Sequence, residues 1–103
     1  RQGKAAEVLE EGLEIVRKMH PQGSSLEVRY RVLLSSVLKT QGRLGDALDA
    51  LEGCLPHLKR AYGKQRAAAA DLTAECARLM EAVGRREDAV GMYARSAALR
   101  RTG

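Results

Sequence analysis

The side chains from which chemistry could start are two cysteines, two histidines and a set of regularly spaced cations. Cys54 and Cys76 are too few for a disulfide framework, and their spacing matches no zinc site. A nucleophilic thiol needs a base in register, and neither histidine is in register with either cysteine. Cys54 occupies a small-residue position of a helical stripe and Cys76 faces the core of its helix, so packing is the role expected of both. His20 falls in a linker and His57 near a helix end, without the carboxylates that would complete a metal site. "GRLG" and Gly63–Lys64 are too short for a phosphate loop, and no strand precedes either. Glu14 with Lys18, Glu27 with Arg31 and Glu81 with Arg85 are helical i,i+4 pairs that read as solvated faces. No catalytic constellation emerges. The expectation is a non-enzyme with no cofactor and no metal.

The cations are the more organised group. Arg17, Lys59 and Arg101 recur at steps of 42 residues, Lys18 and Arg60 follow the same step, and Lys64 and Arg66 extend the set. The formal net charge is +5. Two readings stand. Such a basic edge suits phosphate or an acidic surface. Equally, cations at helix C-termini complement the helix dipole, as Asp46, Glu87 and Asp88 do at the other pole. The chain has no Trp, no Phe and three Tyr, so the aromatics that stack bases are missing. No apolar run is long enough to span a membrane and no signal peptide is visible. Unpaired cysteines then suggest an intracellular, reducing compartment, cytoplasmic by default, with an organelle not excluded.

The elements that carry these residues follow from repetition. "QGRLGDALDALEGCL" (41–55) and "VGRREDAVGMYARSA" (83–97) match at a 42-residue offset. Ala5, Ala47 and Ala89 share the period, as do Leu9, Leu51 and Tyr93, and Gly12, Cys54 and Ser96. Steps of four and three place each small–large–small set on one helical face. "QG" also recurs at 2–3 and 41–42, a step of 39, but 42 aligns the whole stripe. Gly, Pro and capping residues then predict five helices, at about 3–19, 25–40, 44–61, 65–83 and 86–100. "SSLE" at 24–27 is a capping-box pattern. Pro56 is expected to bend or break the third helix. Hydrophobic residues make up 45% of the chain, enough for one packed domain over 1–103. Loops this short allow only antiparallel hairpins, giving an all-α chain of about two and a half repeats: 1–20, 24–62 and 64–102.

The glycine turn followed by Ala, a large and a small residue resembles the tetratricopeptide repeat. The 42-residue unit, with "MHPQGSSLE" as a Pro-containing link, is similar to the long subtype typified by kinesin light chain. The resemblance implies an α-solenoid of antiparallel hairpins with a right-handed superhelical turn. It also implies a protein–protein scaffold whose concave groove takes a peptide or a partner helix. Its implied groove positions are Arg29, Val32, Ser36, Lys39 and Thr40 on the second helix, and Asp71, Ala74, Arg78, Glu81 and Ala82 on the fourth. The chain contains no Asn, so the Asn clamp of chaperone-tail binders is absent. The alternative is a ribonucleoprotein or nucleic-acid component using the basic edge. Apolar residues spread around the first helix (Val8, Leu13, Ile15, Val16) and along the fifth (Val90, Met92, Leu99). They predict open patches at both ends, hence part of a larger protein or assembly that in isolation self-associates end to end or is only marginally stable.

Overall fold

The computed structural model describes residues 2–101. Its α-helices are α1 (Gln2–Met19), α2 (Ser25–Thr40), α3 (Leu44–Glu52), α4 (Leu58–Tyr62), α5 (Arg66–Ala82) and α6 (Arg86–Arg101). No strand occurs among the described residues. A 3-10 turn at Leu55–His57 joins α3 to α4, so these two form one kinked rod in a series of five.

The kink has a local cause. Pro56 lacks an N–H, and its ring would clash with the carbonyl four residues back, which belongs to Glu52, the last residue of α3. The backbone tightens to compensate: Cys54 N–H donates to Leu51 O at 2.9 Å and His57 N–H to Cys54 O at 2.9 Å. The single helix expected over 44–61 is therefore two helices and a turn.

The 42-residue period is visible in the turns atom by atom. Gly42 (φ +80°) and Gly84 (φ +90°) take the left-handed conformation that ends a helix. Arg43 N–H donates to Leu38 O at 2.9 Å, and Arg85 N–H to Met80 O at 2.8 Å. The arginines then clasp the next helix. Arg43 Nε lies 3.0 Å from Asp46 Oδ2, and Arg85 Nε 2.9 Å from Asp88 Oδ2.

Hairpins are closed by equivalent contacts further along. Cys54 Sγ lies 3.9 Å from Val28 O, and Ser96 Oγ donates to Ala70 O at 2.8 Å. Pairing Ser35 with Ala47 as well as Val28 with Cys54 makes α2 and α3 antiparallel; Glu81 with Tyr93 and Asp71 with Arg100 do so for α5 and α6. The main interfaces join consecutive rods: α1 to α2, α2 to α3–α4, α3–α4 to α5, and α5 to α6. The molecule is correspondingly flat, 38 × 30 × 18 Å.

One apolar cluster runs through all five rods, from Ala6 and Leu13 through Val28, Leu38, Leu48, Leu51, Leu72 and Met80 to Ala89. The kinked rod lies at its centre, buried on both sides. The outer rods are covered on one side only. On α1, Leu13 and Val16 are buried, whereas Val8 and Ile15 stand open. Of the expected stripe, Ala5 is exposed and Ala6 is buried in its place. On α6, Met92 and Leu99 are half-buried and Val90 is 69% exposed. Tyr93 lies at the margin of the fold rather than filling it, its hydroxyl 3.0 Å from Glu81 Oε1.

Candidate functional site

The surface expected to meet a partner is formed by the exposed sides of α2 and α5. An amphipathic helix keeps one face in water, and on α2 this face carries Arg29, Ser36, Lys39 and Thr40. Val32 is half-buried against the core. On α5, Asp71, Arg78, Glu81 and Ala82 are exposed. Ala74 is only 9% exposed and belongs to the core, because α5 is covered on two sides and its short side chain ends below the surface.

Glu75, which the sequence did not single out, draws part of this set together. Its carboxylate accepts from Lys39 Nζ at 2.8 Å and from Arg78 Nε at 3.0 Å. Partial burial pulls the Glu75 carboxyl upward, but the bonds from Lys39 and Arg78 outweigh this and hold it below the usual carboxylate range. Lys39, Glu75 and Arg78 thus tie α2 to α5 in one patch with net positive charge. Asp71 and Glu81 are not part of it. Each turns to α6, Asp71 to Arg100 Nη2 at 2.6 Å and Glu81 to the Tyr93 hydroxyl.

The residues of the basic edge lie in different surroundings. Arg60 donates to the carbonyls of Gln22 and Gly23 at 3.1 and 2.9 Å, pinning the link between α1 and α2. Arg66 is half-buried and donates to Leu99 O at 3.2 Å. Lys18 pairs with Glu14 at 3.5 Å, and together with Arg17, Glu10 and Pro21 these line a cleft of mixed charge. Lys59, Lys64 and Arg101 are exposed.

One pair departs from its expected setting. Glu27 and Arg31 read as a solvated i,i+4 pair, yet Glu27 is 5% exposed. Arg31 Nε donates to Glu27 Oε2 at 2.8 Å, and His57 Nε2 lies 3.8 Å from the same oxygen. The Glu27 carboxylate therefore does not return to Ser24; the cap is the Ser24 hydroxyl accepting from Glu27 N–H at 3.1 Å. Two glycines make room for this cluster. A Cβ at Gly53 would run into the Arg31 guanidinium, and one at Gly23 into the His57 ring. The cluster fastens the kink at Leu55–His57 to the start of α2.

Cys54 and Cys76 are free and buried, and burial pushes both thiols up to about 12. They are packing groups at neutral pH. No set of three or more His, Cys, Asp or Glu residues able to hold a metal occurs among the described residues. No described helix is long and apolar enough to cross a membrane.

The open apolar surface expected at Val8 is present, and Leu33, which the sequence did not single out, adds to it. Val8 on α1 and Leu33 on α2 are 57% and 55% exposed, and with Ala5, Leu9 and Val37 they line a groove of ≈ 580 Å³. No family model, curated protein or solved structure matches the chain.

Proposed function

We propose that the chain is a protein–protein interaction scaffold of the tetratricopeptide type, its hairpins continuing one another in a right-handed solenoid. It takes an extended peptide or a partner helix across the exposed sides of α2 and α5. The observation that carries this reading is the Lys39–Glu75–Arg78 bridge, which holds those two sides together as one surface. Without Asn to grip a peptide backbone, recognition rests on charge and on apolar side chains. The patch is net positive, so an acidic partner fits it.

Charge reversal tests the proposal. Affinity capture with the tagged chain identifies a partner, and binding is then measured with variants. Arg29→Glu and Arg78→Glu are expected to weaken binding at least about tenfold, equivalent to about 1.4 kcal/mol, with helicity unchanged. Lys59→Glu and Lys64→Glu, on the basic edge, are expected to leave it intact. The reverse result, with affinity falling steeply as salt rises, would transfer the function to that edge and to a phosphate-bearing partner.

A further inference from the structure

We infer that the cavity between the kinked rod and the α5–α6 hairpin binds a small straight-chain carboxylate, of the medium-chain fatty-acid class. The cavity measures ≈ 270 Å³ and includes no residue of the partner surface proposed above. The inference comes from comparing two successive repeats. Val28 O with Cys54 and Ala70 O with Ser96 mark the same contact one 42-residue period apart, so the two hairpins correspond residue by residue. In the α2–α3 hairpin, Glu27, Arg31 and His57 fill the space. Glu27 is 5% exposed, Arg31 Nε donates to it at 2.8 Å, and the guanidinium lies over Gly53. One period on, the same positions hold Ala69, Thr73 and Leu99, and Arg95 stands at the position of Gly53. A methyl replaces the buried carboxylate, and the space is a cavity that Ala69, Leu99 and Arg95 help to line.

The second repeat loses the carboxylate and keeps the cations. Arg95 lines the cavity from α6 and Lys59 from α4. Lys59 corresponds to Arg17, which lines its own cleft together with Glu10 and Glu14. In the later repeat Pro56 stands at the position of Glu14, and no acidic residue lines the cavity among the described residues. Neither Lys59 nor Arg95 belongs to an ion pair among the described residues. Arg66 is already engaged, its Nε donating to Leu99 O at 3.2 Å, so recognition of an anion falls to Lys59 and Arg95. Charges facing each other beside an apolar wall attract more strongly than in open water. The head group follows from Glu27: a carboxylate fills the corresponding place one repeat earlier, and a guanidinium holds a carboxylate with two parallel N–H bonds.

The rest of the wall selects the tail. Leu58 and Ala69 are buried, and Leu55 and Leu99 are half-buried. The turn at Leu55–His57 brings both Leu55 and Leu58 to the cavity. Its ≈ 270 Å³ equals the volume of about nine waters, which suits an unbranched chain of about eight carbons. An α-helix with its side chains is about 10 Å across, too wide to enter such a space, so the ligand is a free small molecule.

The test is calorimetric titration of the whole 103-residue chain with sodium octanoate. Saturable binding is expected, with Kd below about 1 mM for a ligand of this size. Octan-1-ol has the same tail without the charge and should bind at least about tenfold more weakly. Arg95→Gln, at an exposed position, should weaken octanoate at least about tenfold as well. Ala69→Glu, which gives α5 the carboxylate that Glu27 gives α2, should abolish binding. Arg17→Gln, in the corresponding cleft of the earlier repeat, should leave it unchanged. Circular dichroism confirms that each variant is folded. Should Ala69→Glu fail to fold, Arg95→Gln and octan-1-ol decide the matter. No saturable binding would overturn the inference. So would binding that octan-1-ol matches, or that Arg95→Gln leaves intact, or that Arg17→Gln removes. Octyl phosphate, or a tripeptide with a C-terminal leucine, binding more than about tenfold tighter than octanoate would also overturn it. The head would then be a phosphate, or the ligand a peptide end.

Discussion

Glu27 shows how much a single buried charge can control. Its carboxylate is removed from water and held by Arg31, with His57 alongside. Removing one member of such a pair leaves the other charge buried without compensation, whereas removing both is far less costly. Glu27→Ala is therefore expected to lower stability by about 3–5 kcal/mol, read by denaturant titration. The exposed Glu14–Lys18 pair supplies the contrast, with Glu14→Ala costing under about 1 kcal/mol. A double variant, Glu27→Leu with Arg31→Met, should recover much of the loss. If Glu27→Ala costs no more than Glu14→Ala, the pair is hydrated in solution. The spacing of Glu27 and Arg31 was legible in the sequence, but their burial was not, because most such pairs lie in water. The available signal lay in Gly23 and Gly53, whose missing side chains leave space for His57 and Arg31. Neither glycine has meaning until the kink brings those groups over it.

At the level of elements, the two glycine turns allow a controlled comparison. Nothing lies within 4 Å of a Cβ built on Gly42 or Gly84. Alanine at either position meets no neighbour and pays only for its left-handed backbone, about 1–2 kcal/mol. Gly42→Ala and Gly84→Ala should thus shift stability by nearly the same amount. Gly12→Ala is different in kind, since its methyl would run into the Tyr30 ring. Unequal effects at 42 and 84, measured by thermal unfolding, would mean that the two turns are not equivalent. These turns, the helix ends and the break near Pro56 were all legible, because each depends on residues within a few positions. The assignment of faces was less so. Ala74 looked like a groove residue and is core, and Ala5 looked like part of the packed stripe and is exposed, because a stripe repeated on every helix does not say which copies are covered.

For the whole molecule, short loops dictated hairpins, and hairpins appear. The curvature of the stack depends on crossing angles that no periodicity encodes. Glu75 was missed for a similar reason: its partner Lys39 lies 36 residues away, and only the packing of α2 beside α5 brings them together. The pairing of each rod mainly with its chain neighbours has a mechanical consequence. Pulled by its two ends, the chain has no main interface between the first and last rods, among the described residues, that must break before anything yields. The load passes through the interfaces in series, so the least extensive of them gives way first. In optical tweezers the molecule should lengthen in successive steps, each hairpin releasing on the order of 100 Å of chain. A single abrupt rupture would show instead that the central kinked rod binds the rest into one cooperative unit.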